Sequence, residues 1–304
     1  MTRRTAQLVA VALLLFVAGR AAVPAPSGAA GGTPSLVAYN TVQGLLAGDL
    51  EHTVSIVRVR SDLAAYPPDW PVVGVGTTNR PFRTGELIPG GTAGDLRFWW
   101  ADPDSPSQAA VTDLGAGPGA GPVELPFLAL GVGDPARALT WEARDVPDVH
   151  AWLSAQLAAA GIELAGVLLE GEFGAVKTTV SYNIPATGLD LSGGYVGADY
   201  FRFGDYAPAV WRMHALYTAT PALQPVIAAP GQSLHIHGFQ PGPMLGGHVT
   251  AAAAERVRVT VWPLDELIVR RGTTDPKKAH SPRGCCTCGL CLSALGAATR
   301  PMAS

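Results

Sequence analysis

Three histidines in one short segment, Leu234 to Thr250 (LHIHGFQPGPMLGGHVT), carry the clearest chemistry in the sequence. Residues two apart on a β-strand point to one face, so His235 and His237 can present both imidazoles to a single point. Between them and His248 lies QPGPMLGG, rich in chain-reversing residues, which can bring His248 back on a neighbouring strand opposite the pair. Three neutral ring nitrogens converging on one cation leave coordination positions open, as a catalytic zinc or similar divalent ion requires. The competing reading is three surface histidines flanking a turn. Strand alternation and turn chemistry together favour convergence. His52, His150, His214 and His280 sit in unrelated contexts and read as solvated or packed residues rather than ligands.

The elements that must position these side chains follow from composition and pattern. The chain has 304 residues, 48% of them hydrophobic and 15% charged, enough apolar material for a sizeable core. Its 36 glycines and 26 prolines imply many turns and short elements, which favours a β-rich α+β chain over a helical bundle. A formal net charge of -3 argues against a nucleic-acid partner. Leu36 to Leu50 reads as a short amphipathic helix, Thr53 to Arg60 and Trp70 to Gly76 as strands, and Asp102 to Pro122 as a loop. Pro126 to Val132 is strand-like, and Val146 to Ala160 reads as a helix with Pro147 at its start and Asp148 near its positive end. Gly166 to Tyr182 reads as two strands around Gly171 and Gly174. The aromatic strands at Tyr195, Tyr200, Phe201 and Phe203 precede the histidine segment, and Arg256 to Trp262 alternates cleanly after it.

Both ends read as something other than core. Thr2-Arg3-Arg4 followed by the apolar run Leu8 to Gly19 and small residues through Ala30 has the form of an export signal, too short for a membrane span. The expectation is a secreted or extracytoplasmic protein with no membrane contact once that segment is removed. All four cysteines, Cys285, Cys286, Cys288 and Cys291, lie together near the other end. They can bind a soft metal or pair internally after export, but one compact cluster lacks the distant second pair usual in zinc modules, so an irregular tail is preferred. The expected organisation is a signal over 1–30, an α+β domain over 34–182, a β domain with the histidines over 183–271 and a tail over 272–304.

His-x-His, then ten residues, then the histidine of Gly246-Gly247-His248-Val249 resembles the metal-binding segment of the α-acetolactate decarboxylase family. Other stretches follow in the same order: YNTVQGLLAGD from Tyr39, Gly74-Val75-Gly76-Thr77, Gly85-Glu86-Leu87-Ile88, Pro126-Phe127, and GEFGAVKTTV from Gly171. The resemblance spans about residues 36 to 265. It implies an α+β fold with two mixed or antiparallel sheets and a few helices, a zinc or other divalent ion on His235, His237 and His248, and conversion of 2-acetolactate or a related 2-hydroxy-3-keto acid to an acetoin-type product and carbon dioxide. It also implies a small-molecule substrate and makes a homodimer reasonable. Glu86 matches the family's glutamate beside the metal, the first choice for proton delivery, and Thr77 matches a pocket threonine.

Departures from the family pattern bear on activity. Where the family carries an arginine on the strand after the middle helix, this chain has Thr179. A fixed guanidinium facing an anionic substrate is worth a few kcal/mol. Lys177, two residues away on the same strand face, can substitute as a point charge. The family's late glutamate has no counterpart, and Glu266 is not given that role. A second function class therefore stays open: an exported metal- or ligand-binding protein that keeps the fold without the chemistry. A cupin-type enzyme also begins with His-x-His, but it needs a glutamate shortly after, and Gly238 to Gly247 has none.

Overall fold

The computed structural model describes residues 32–78, 85–104, 110–113, 124–189 and 200–274. The expected export signal, Tyr195 and the cysteine cluster lie outside the described residues. The chain opens on β1 (Ser35–Tyr39), turns at Asn40 (φ 62) and enters the short helix α1 (Val42–Leu46). Thr41 caps that helix, its hydroxyl accepting the Gly44 N–H at 2.9 Å. The stretch expected as one helix is therefore a strand and a short helix. Consecutive burial of Leu36, Val37, Ala38 and Tyr39 suits a strand covered on both faces.

The next segment departs from expectation in the opposite sense. β2 (His52–Ser55) gives way to helix α2 (Ile56–Leu63), where alternation had suggested continuous strand. Ser55 stops the strand by capping the helix, accepting the Arg58 N–H. Ile56, Val59 and Leu63, at helical spacing, are buried while Val57 is 77% exposed. Then come β3 (Pro71–Thr78), β4 (Gly85–Thr92), β5 (Leu96–Asp102), β6 (Ala110–Asp113), β7 (Glu124–Leu125) and β8 (Phe127–Val132). β6 is a strand inside the stretch expected to be loop.

β9 (Leu139–Val146) leads into α3 (Val149–Ala159), whose N-cap Asp148 accepts the Ala151 N–H at 3.0 Å, as the sequence anticipates. β10 (Leu164–Ser181) is one 18-residue strand rather than two. Its glycines allow close approach without ending it: a Cβ on Gly171 would lie 2.1 Å from the Arg256 carbonyl oxygen of the neighbouring strand. β11 (Phe201–Tyr206), β12 (Ala209–Thr218), the single turn α4 (Gln224–Ile227), β13 (Leu234–Gln240), β14 (Leu245–Pro263), β15 (Glu266–Arg270) and β16 (Thr273–Thr274) complete the chain.

Thirteen strands join one mixed sheet in the order β11-β10-β12-β13-β14-β6-β5-β4-β3-β8-β1-β15, with β9 added on β14; β16, β2 and β7 form a second, three-stranded sheet. Every pairing is antiparallel except β1 with β15. β10 pairs with β14 as well as β12, so β10, β12, β13 and β14 close a ring. The strands from β6 to β15 attach to that ring by one pair, Leu245 with Ala110. This is the β-rich α+β architecture expected. No helix among the described residues is long and apolar enough to cross a membrane.

The largest apolar cluster packs α3 on β10, β12 and β14 through Val149, Leu153, Leu157, Val167, Phe173, Trp211 and Val257. Phe173 is fully buried there. Phe173→Ala is expected to cost roughly 3–5 kcal/mol, the usual range for removing a buried aromatic ring. Urea unfolding checks this, and a loss under 1 kcal/mol would contradict the packing.

Candidate metal centre

The site forms where β4 lies against β12 and β13. β13 and β14 pair in register with His237 opposite His248, and the connection closes through the Met244 N–H donating to the Gln240 carbonyl at 2.9 Å. Met244 takes the left-handed conformation in that turn, φ 55. The three rings expected to converge do so. Centroids are 4.7 Å apart for His235 and His237, 4.8 Å for His235 and His248 and 5.4 Å for His237 and His248, with planes tilted by 76° to 81°. Near-perpendicular rings aim their edges inward, and one nitrogen from each lies within 4.8 Å of the others.

The outer nitrogens fix what the inner ones can do. Nδ1 of His237 donates to the Leu87 carbonyl at 2.7 Å, and Nδ1 of His235 donates to the Ile227 carbonyl. A backbone carbonyl only accepts, so both Nδ1 atoms carry the proton and both Nε2 atoms present lone pairs. Those two Nε2 atoms face each other at 3.0 Å. Burial, the largest cause, keeps all three imidazoles neutral: His235 is lowered to about 4, and His237 and His248 fall well below the usual histidine value. Two neutral acceptors at that distance repel unless a cation sits between them. The donor set therefore fits a divalent metal, with the carbonyl contacts orienting the ligands.

Glu86 stands beside this cluster. Its Oε2 lies 3.7 Å from His237 Nε2 and accepts the Thr77 hydroxyl at 2.9 Å, while Oε1 accepts the Ser181 amide at 2.9 Å. The carboxyl is almost completely buried, and desolvation raises its pKa to about 7 against these lowering hydrogen bonds. The cavity over the cluster is lined by Thr77, Glu86, Thr179, Ser181, Gln232, His235 and His248 together with apolar residues of α1 and its neighbours. Thr179 pairs with His248 across β10 and β14.

Lys177 is not brought to the site. Its side chain is 62% exposed and its Nζ lies 4.0 Å from Asp205 on β11, which corrects the expectation that it shares the pocket face with Thr179. Pairing of β10 with β14 shifts register between Lys177 and Thr178, and the cover over Thr179 stops there. Ser181, by contrast, was missed; alternation from Thr179 along β10 would have found it.

His214, read from sequence as simply packed or solvated, is fully buried next to the centre. It pairs with His237 across β12 and β13, and its Nδ1 donates to the Pro89 carbonyl at 2.6 Å. His237 and His214 thus hold carbonyls two residues apart on β4. Only glycine is tolerated beneath the ring, since a Cβ on Gly90 would lie 2.1 Å from His214 Cε1. Burial lowers the His214 pKa to about 4. Its unfolded form titrates near 6.5, so the unfolded chain binds more protons between these values and stability falls as pH drops through that window. The loss at pH 4 is expected to be roughly 3 kcal/mol from this group. Urea unfolding at pH 7 and pH 4 of the protein and of His214→Gln isolates this contribution as the difference between the two, because His235, His237, His248 and Glu86 add their own dependence.

The fold is similar to that of several solved structures. α-Acetolactate decarboxylase from Bacillus subtilis superposes with TM-score 0.59 at 17% identity, over 79% of this chain and 90% of that one. Acetolactate decarboxylase from Bacillus subtilis subspecies spizizenii gives 0.58 at 18% identity over the same shares. A Staphylococcus aureus protein of unknown function, described as similar to α-acetolactate decarboxylase, gives 0.55 at 16% over 78% and 88%. The chain thus has the α-acetolactate decarboxylase fold. No family model matches the sequence, and no curated protein matches it.

Proposed function

We propose that this protein is a distant member of the α-acetolactate decarboxylase family, a zinc-dependent carboxy-lyase that converts 2-acetolactate or a related 2-hydroxy-3-keto acid to an acetoin-type product and carbon dioxide. The observation that carries this reading is the pair of facing Nε2 acceptors at 3.0 Å, joined by His248 and bordered by a buried carboxyl. His235, His237 and His248 would hold the ion, which when bound would supply a Lewis acid for the substrate's keto and hydroxyl oxygens. Thr77 and the Ser181 amide fix the orientation of Glu86. Glu86, beside the His237 ring, is the group placed to deliver a proton to the carbon that loses carbon dioxide, so that a carbon-hydrogen bond replaces the broken carbon-carbon bond. Buried donors around the carboxyl keep bulk water from competing for that position.

One observation favours a second reading, an exported metal- or ligand-binding protein without the chemistry. Thr179 stands where the resemblance expects a guanidinium, and Lys177 faces solvent. Acetoin release from 2-acetolactate, assayed before and after a chelator and again after added zinc, separates the two. Release that is abolished by the chelator and restored by zinc supports the lyase. No release from the zinc-loaded protein supports the binder.

A further inference from the structure

The cavity over the histidines is small, about 40 Å³, and most of the residues around it are closed off from solvent. On the α1 side Val42, Leu45, Phe127 and Ile184 are buried, and the polar wall of Thr77, Glu86, Thr179 and Ser181 is buried too. Gln232 is the one exposed residue of the described lining. Adjoining it is a larger groove of about 450 Å³ between the first turns of α3 and the β13–β14 pair, where His150, Ser154, Ser233 and Thr250 supply polar walls. Gln232 and His248 are the two residues common to the lining of both spaces.

The loop that carries Gln232 is held at both ends. Pro230 and Gly231 form the centre of a tight turn, closed by the Gln232 N–H donating to the Ala229 carbonyl at 3.0 Å, and Gly231 takes φ 83, the sign such a turn demands at its third position. Just before the turn the Ile227 carbonyl accepts from His235, and just after it the Ser233 carbonyl accepts the Thr218 N–H at 2.9 Å. Lifting the loop would therefore pull on His235, and His248 is fixed by its pairing with His237. The Gln232 side chain is the part free to move, since an exposed side chain changes rotamer on the picosecond-to-nanosecond scale. We propose that Gln232 gates the cavity, so that small water-borne molecules enter and leave between α3 and the β13–β14 pair, past its side chain. This goes beyond the lyase reading and does not depend on it, because a binding protein needs the same doorway.

Diethyl pyrocarbonate, which acylates neutral imidazole, reads the passage directly on the full chain kept free of metal. His235 lines the cavity but not the groove, and His150 lines the groove but not the cavity, so the first reports passage and the second is an internal reference. Peptide mass spectrometry follows the rate at each ring. Gln232→Trp, which fills the opening, is expected to slow the His235 reaction roughly tenfold relative to His150, and Gln232→Ala to quicken it. Gln232 is exposed, so both variants should fold; if the indole disturbs the turn, Gln232→Ala alone decides. Slowing in Gln232→Trp or quickening in Gln232→Ala supports the gate. A ratio of the two rates that neither variant changes overturns it, whatever the acetoin assay shows.

Discussion

His237→Ala is expected to lose the metal on purification and to show no more than background acetoin release. The ring is fully buried, and its Nε2 is one of two facing acceptors whose mutual repulsion only a cation relieves. Removing it takes one of three ligands, so the loss of affinity should exceed the roughly 10- to 100-fold that outer-shell changes cost. The variant also leaves the Leu87 carbonyl without its imidazole donor, at a cost of about 1–3 kcal/mol in stability. Circular dichroism and urea unfolding therefore accompany the metal analysis. A folded variant with one zinc per chain would exclude His237 as a ligand.

Glu86→Gln produces the second large effect, and its signature is different. The amide keeps an oxygen to accept the Ser181 N–H, and its NH2 can donate to the Thr77 hydroxyl, so packing and metal content should be preserved. What is lost is a transferable proton beside the cluster. Turnover should fall about 10²- to 10⁴-fold, the span of general acid-base assistance. The amide also relieves the buried, partly ionised group, so stability at pH 7 should hold or rise. Unchanged turnover would remove Glu86 from the chemistry and leave it a structural brace between β4 and Ser181.

The histidine pair and its partner were legible because both periodicities involved are local. A strand alternates with period two, and QPGPMLGG reverses the chain within one turn, so the register of His237 with His248 followed from neighbours in sequence. α3 was legible for the same reason, its cap and apolar spacing lying within one short stretch. What the sequence hid depends on long-range packing. The carbonyls of Leu87 and Pro89 that orient His237 and His214 are backbone groups 125 to 150 positions away, and no residue type announces them. α2 was misread because Ile56 and Val59 fit both alternation and helical spacing, and only the Ser55 cap decides. Lys177 was misplaced because alternation sets the face of a residue but not how far along the strand the opposing layer reaches.

X-ray absorption at the zinc edge on the zinc-loaded protein tests the central claim most directly. One zinc per chain should show three imidazole nitrogens at about 2.0–2.1 Å with the remaining positions filled by oxygen donors. A spectrum without an imidazole shell, or one that His235→Ala leaves unchanged, would contradict it.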